Sequence, residues 1–262
     1  MNKVKARNKP FLMIACLALG HAARAQDNEP AATPYRPSVS APAAMSAPGW
    51  LDFEFGGQRS RGGGDKTRDS LPVTAKLAFN KDWGIVLGSE LGLRRTDQGG
   101  NFFTGAGDVT ALIKHRFSTA DEDTAWGAQA GVKLPTAKNS LGSGKTDLIV
   151  TGIFSQDFAG NNHLDANLVL TRLGAYAPGE GRMQFGWAAA VAHTIDDRWS
   201  VFAEPSGTYR HSAPATAQLM AGASYNYSKR AVFDFSVARG LTSATPHWQL
   251  QGGVTLLLAR LW

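Results

Sequence analysis

Apolar and polar residues alternate by two along most of the chain. In "LPVTAKLAF", every second residue from Leu71 to Phe79 is apolar, whereas Thr74 and Lys76 fall on the opposite side. "GDVTALIKHRF", "AWGAQAGVKLP" and "AQLMAGASYNY" repeat the pattern. A period of two is typical of a β-strand whose two faces meet different surroundings. In the run 148–158 both faces carry apolar residues, so the pattern does not assign its inward face.

Marking every such run predicts twelve strands of about ten residues, separated alternately by tight polar turns and by longer glycine-rich connections. "NKDW" and "SKR" are turns of the first kind, and "RSRGGGDKTRDS" and "RTDQGGNFFTGA" are connections of the second kind. This layout predicts an all-β fold: a transmembrane antiparallel up-and-down β-barrel at 49–262, with ten or fourteen strands as alternatives. The predicted strands are 50–58, 71–79, 84–94, 107–117, 125–134, 148–158, 163–173, 183–195, 199–210, 217–227, 231–240 and 248–262.

The strand ends favour a membrane protein over a soluble secreted β-sandwich, which would bury the same alternating face inside. Aromatic residues gather beside the turns, where the girdle of a membrane barrel belongs. The last predicted strand ends on Trp262, which resembles the C-terminal signal that delivers outer-membrane barrels to their insertion machinery. The aromatic residues beside the turns are Trp83, Phe117, Trp126, Phe158, Trp199, Tyr225 and Tyr227.

The N-terminus predicts export. A basic stretch, the apolar run "FLMIACLALG" and small residues ending at Ala25 have the layout of a cleaved signal peptide at 1–25. A lipoprotein signal through Cys16 is an alternative, but it leaves a very short apolar region. Residues 26–48 are rich in proline and alanine, a composition that predicts a disordered tether. The sequence leaves open whether this stretch enters the barrel.

Cleavage changes the charge and removes the thiol. The formal charge of the whole chain is +6, and five of these charges come from Lys3, Lys5, Arg7, Lys9 and Arg24 of the predicted signal peptide. The mature chain is therefore nearly neutral, which gives no basis for nucleic-acid binding. The single cysteine, Cys16, also leaves, so neither a disulfide framework nor a Cys-based metal site is expected.

A nucleotide site is not expected, although "GSGKT" resembles the end of a phosphate-binding loop. The first glycine of that motif is replaced by Asn139, and the following residues favour a strand over the required helix. The sequence also predicts no catalytic, cofactor-binding or metal-binding residue. His115 and His193 fall on the apolar face, as a lipid-hydrolysing barrel would need, but neither has a serine two residues away on that face.

The inward face of the predicted barrel carries many charged residues, among which we expect Glu90, Lys114, Arg116, Lys133 and Glu204 to line the pore. The three basic residues are expected to form a positive patch near the periplasmic end, with Glu204 opposite. Further inward charges are expected at Asp52, Glu54, Lys76, Arg94, Asp108, Asp165 and Asp234.

The order of motifs resembles the outer-membrane family named for a putative meta-pathway of phenol degradation. The resemblance rests on "GDVTALIKHRF", "AGVKLPTAKNSLGSGKTD", "FSQDFAGNNHLDANL" and "RWSVFAE", with Ala137 and "NLVL" departing from the usual residues. It implies passage of aromatic or other hydrophobic solutes across the bacterial outer membrane.

The sequence thus predicts a non-enzymatic channel for passive uptake of small solutes, aromatic ones included. Its expected partners are outer-membrane lipid, the insertion machinery and the solutes, with no nucleic acid, nucleotide or cofactor. A plugged structural or adhesive barrel and an outer-membrane lipid hydrolase are the alternatives.

Overall fold

The structure is a computed structural model that describes residues 29–138 and 141–262; the predicted signal peptide lies outside this part of the chain. Within these ranges no helix is long and apolar enough to span a membrane. The strands are β1 Trp50–Gly62, β2 Asp65–Ala78, β3 Trp83–Asp97, β4 Phe102–Gly105, β5 Val109–Phe117, β6 Thr124–Leu134, β7 Asp147–Phe158, β8 Asn162–Arg172, β9 Met183–Thr194, β10 Trp199–Arg210, β11 Thr216–Ser228, β12 Ala231–Gly240 and β13 Trp248–Arg260.

Twelve of these strands close a barrel. Consecutive strands pair antiparallel around the sheet, and β1 pairs with β13 from Trp50↔Arg260 to Arg61↔Trp248. The short strand β4 pairs only with the outer end of β3, so it is not part of the wall. Closure leaves the wall without an unpaired edge, which is what a sheet requires in lipid. The predicted fold and strand number are confirmed.

The two faces of the wall differ in polarity. Large apolar side chains such as Leu168, Phe235 and Leu219 are exposed on the outside, at 60%, 57% and 50% of their surface. Most of the buried side chains are polar or charged and point into the lumen. An apolar exterior around a polar interior is the arrangement of a transmembrane barrel.

Strand β7, whose phase the sequence does not assign, follows the same rule. Thr151 and Ser155 are buried in the lumen, whereas Leu148 and Val150 are exposed outside. Ile153 is also buried on the inward face. This apolar lumen residue is why both faces of the strand look apolar in the sequence.

The first two external connections differ from the predicted long loops. Strands β1 and β2 continue beyond the predicted ends and leave only Gly63 and Gly64 between them. Gly62 and Gly63 have φ of 88° and 70°, which glycine adopts without a steric penalty. The second connection folds back as β4. Local glycine clusters thus produce a tight turn and a hairpin, where the composition predicts open loops.

Aromatic rings form a belt at the periplasmic end, as expected. The ring centroids of Trp199 and Tyr225 lie 4.8 Å apart. The ring of His115 lies between those of Trp83 and Phe117, at 4.2 and 4.6 Å. Such amphipathic rings favour the boundary between lipid and water.

Candidate functional site: a segment inside the lumen

Residues 30–48, here called the N-terminal segment, enter the lumen from the periplasmic end. The Ala32 N–H donates to the carbonyl of Lys229, in the turn between β11 and β12, at 2.8 Å. The segment rises to Val39 near the middle of the barrel and returns to Gly49, whose N–H donates to Ala78 O at 2.9 Å. The expectation of a disordered tether is wrong for this stretch. Its composition cannot form a core of its own, but the lumen supplies hydrogen-bond partners for its backbone.

A buried charge cluster on β1 and β2 holds the first part of the segment. Lys76 Nζ lies 2.6 Å from Glu54 Oε1 and 3.4 Å from Asp52 Oδ1. These carboxylates also accept backbone N–H groups of the segment, from Thr33 at 2.9 Å and from Tyr35 at 2.6 Å. All three charged side chains are at most 2% exposed. Their charges are paired and hydrogen-bonded, which burial requires.

Lys114 on β5 binds both arms of the segment. Its ammonium donates to Tyr35 OH at 2.5 Å, to Pro42 O at 2.6 Å and to Ala44 O at 2.7 Å. An ammonium has three donors, and here each one has a partner in the N-terminal segment. The side chain is 1% exposed. Lys114 therefore ties the rising and returning arms together.

Glu204 on β10 holds the apex. Its carboxylate accepts the Ser38 hydroxyl at 2.9 Å, the Val39 N–H at 2.8 Å and the Ser40 N–H at 2.7 Å. Asn167 on β8 holds the next residue by two bonds, accepting Ala41 N–H at 2.7 Å and donating to Ala41 O at 2.9 Å. Hydrogen bonds to a buried carboxylate are stronger than neutral ones. The apex is thus fixed against the β8–β10 wall.

Arg36 contacts the neighbouring part of the wall, formed by β12, β13 and β1. Its guanidinium lies 3.2 Å from Asp234 Oδ1 on β12. It also lies against Gly56 and Gly253, which are register partners on β1 and β13. A Cβ built on Gly253 would come within 2.7 Å of Arg36 Nε. The two glycines therefore leave the space that this side chain occupies.

The structure divides the five predicted pore-lining residues among three levels. Lys114 and Glu204 contact the N-terminal segment. Glu90 lies at the external mouth, where its carboxylate pairs with Arg68 at 2.5 Å. Arg116 is half-buried near the periplasmic end of β5, opposite Gly127.

Lys133 corrects the predicted positive patch. On the antiparallel strand β6 it lies opposite Thr110, at the external end, whereas Lys114 lies opposite Gln129. It also pairs with Asp108 at 3.4 Å and Asp147 at 2.8 Å. The patch of three cations does not exist because Lys133 is at the other end of the lumen and has anionic partners.

Two neutral contacts of the segment are absent from the predictions. Asn167 and Ser155 fall on the inward face, and the Ser155 hydroxyl accepts the Ala43 N–H at 2.7 Å. The inward phase of Asn167 follows from that of Asp165 on the same strand, whereas that of Ser155 is visible in the sequence only once the phase of β7 is known. Sequence reasoning missed them because it looked for charges.

Two cavities flank the segment along the wall formed by β8 to β11. The outer cavity, of about 320 Å³, lies on the external side of Val39. The inner cavity, of about 230 Å³, lies below and is lined by Ser38 and Ser40. Three residues, held by Glu204, therefore separate the two cavities. A third, charged cavity of about 500 Å³ opens at the external mouth beside Glu90 and Lys133.

The residues considered for nucleotide binding and for lipid hydrolysis do not have the surroundings that these functions require. Lys145 is exposed, and the residues after it form strand β7, so the context of a phosphate-binding loop is missing. His115 Nδ1 lies 3.1 Å from Asp82 O, and His193 Nδ1 lies 3.0 Å from Asn162 Oδ1. Among the described residues no cluster of three or more His, Cys, Asp or Glu side chains could hold a metal ion.

Comparison with known proteins identifies the family. The family model described as "Putative MetA-pathway of phenol degradation" matches residues 61–258. The chain belongs to this family. The resemblance found in the sequence is therefore confirmed, and no curated protein matches the chain.

Solved structures share the fold of this family member. The COG4313 outer membrane channel from Pseudomonas putida F1 superposes with a TM-score of 0.65 at 11% identity, covering 82% of this chain and 98% of that one. The NanC porin gives 0.56 at 10% identity, over 79% and 100%. The KdgM porin gives 0.55 at 9% identity, over 79% and 99%. With its apolar exterior and closed wall, this family member is a β-barrel of the bacterial outer membrane.

Proposed function

We propose that the protein is a channel for the passive uptake of small solutes, aromatic ones included, and that the N-terminal segment closes it. One observation carries the proposal. The centre of a closed, polar-lined barrel is occupied by a segment that belongs to no strand of the wall and is held largely by hydrogen bonds and ion pairs. Such a segment can rearrange without breaking the barrel.

The size and lining of the lumen support small solutes. The cavities on either side of the apex have volumes of about 320 and 230 Å³, the first at the lower end of the usual range for small-molecule sites and the second just below it. The similar structures are named as a channel and as porins. The description of the family refers to phenol degradation, which favours aromatic solutes.

The two alternative functions, a plugged structural barrel and a lipid hydrolase, would require different features. A plugged structural or adhesive barrel would keep the same segment in place permanently, so only transport distinguishes it from a channel. A lipid hydrolase would need a nucleophile beside His115 or His193, whose ring nitrogens instead meet Asp82 O and Asn162 Oδ1. We therefore propose no catalytic role.

Solute entry into proteoliposomes tests the channel. Liposomes containing the refolded full mature chain should swell faster in an isotonic pentose than protein-free liposomes do. The matched control is a barrel lacking residues 30–48, which should admit the pentose faster still. If the full mature chain admits no pentose while the shortened barrel does, the barrel is a plugged structural one and the channel proposal fails; if neither protein admits it, the proposal fails as well.

A further inference from the structure

The outer cavity is lined without charge. It lies above Val39, under the connection between β12 and β13, and the described residues that line it include no Lys, Arg, Asp or Glu. The external mouth, by contrast, carries the ion pairs of Glu90 and Lys133. A solute that leaves the mouth for this cavity therefore enters a neutral compartment.

The wall of the outer cavity is built from register partners. Asn167, Ala188, Ser206 and Gln218 lie side by side on β8, β9, β10 and β11. Ala188 is 4% exposed, and its short side chain leaves room in front of the wall. Ala188 thus provides space in this row, while Asn167, Ser206 and Gln218 provide polar groups.

Several of these polar groups are free to bind a ligand. The side chains of Gln184, Ser206 and Gln218 make no hydrogen bond to any described residue, although they are half-buried or buried. Apolar surface comes from Val39 and Val169. Unsatisfied donors and acceptors beside apolar walls favour a ligand that has an apolar body and one polar group.

We infer that the outer cavity binds small uncharged solutes that carry a ring-sized apolar body and one hydroxyl or amide group. This rests on the proposed channel function and names the class of solute that waits above the apex. A carboxylate is disfavoured because the lining offers no cation and because Glu204, two residues below Ser206 on β10, adds a negative charge at the floor.

Binding can be measured without transport. The probes are 4-fluorobenzyl alcohol and 4-fluorobenzoate, followed by 19F NMR line broadening with the full mature chain in lipid nanodiscs. The alcohol should bind, and the benzoate should bind about tenfold more weakly or worse, because its charge would be buried without a partner. Equal binding of the two probes would overturn the inference.

Two alanines of β9 give a matched pair of variants. Ala188→Leu fills the outer cavity and should weaken binding of the alcohol about tenfold or more. Ala190→Leu adds the same group two residues away, in the inner cavity, and should leave binding within about twofold. If the two variants bind alike, the site is not the outer cavity.

Gln218→Leu is a second variant that tests the outer cavity independently of whether Ala188→Leu folds correctly. Loss of one amide partner should weaken binding of the alcohol about fivefold, with unchanged heat-modifiable mobility. Unaltered binding in this variant would contradict the assigned lining. A protein that binds the alcohol but admits no solute into liposomes refutes the channel and leaves the site standing.

Discussion

Lys114 and Lys133 lie on neighbouring strands, yet only Lys114 contacts the N-terminal segment. Lys114 is 1% exposed and donates to three oxygen atoms of that segment. Lys133 is 24% exposed and pairs with two carboxylates at the external end. At the scale of the residue, the position of a lysine along the barrel axis decides whether it binds the N-terminal segment or forms ion pairs at the external mouth.

Lys114→Met should loosen the N-terminal segment while the barrel remains folded. Each hydrogen bond to a charged group contributes about 1.5–3 kcal/mol, so the loss of three should increase amide exchange at Val39 and Ser40 by more than about tenfold. Hydrogen exchange in detergent, resolved by residue, is the measurement. Lys133→Met is the control and should leave exchange at these amides unchanged. Equal exchange in both variants would show that Lys114 does not hold the segment.

At the scale of the element, the alternation by two predicts the wall well. All twelve wall strands are where the pattern places them, because each strand has one lipid-facing and one lumen-facing side. Strand ends are less predictable: β1 and β2 run on to a glycine turn that resembles a loop in composition.

The N-terminal segment could not be predicted in the same way. Its proline and alanine residues have no periodicity, and its order comes from partners such as Glu204, Asn167 and Ser155, which are far away in sequence. Lys133 and Lys114 differ in their position along the barrel axis, and this position can be assigned only when the strand register is known. Sequence alternation reports the face of a strand and not its neighbours.

The last strand carries a prediction of its own. Trp262 follows β13, is 56% exposed, and its ring stacks on Phe79 with centroids 6.4 Å apart. If it is the assembly signal, deleting Trp262 or changing it to Asp should leave the protein degraded or stranded in the periplasm. Heat-modifiable mobility in outer-membrane fractions measures assembly, and Trp126→Asp, in the same aromatic belt, controls for loss of an aromatic anchor. Normal amounts of folded barrel without Trp262 would contradict this role.

At the scale of the whole molecule, the wall and the N-terminal segment are separable parts. The wall is closed by strand pairing alone, and the segment meets it through polar contacts. A disulfide can test this separation, because the only cysteine of the chain is Cys16, in the predicted signal peptide. Ala43→Cys with Ser155→Cys joins two positions already linked by a 2.7 Å hydrogen bond. Oxidation should suppress the open state, and reduction should restore it.

Single-channel conductance of the barrel lacking residues 30–48, compared with the full mature chain in the same planar bilayer, tests the central claim most directly. If the N-terminal segment closes the lumen, the shortened barrel should show a stable conductance severalfold above that of the full chain, because the polar lumen then fills with water and ions. Equal conductance for two correctly folded barrels would show that the segment does not control the pore.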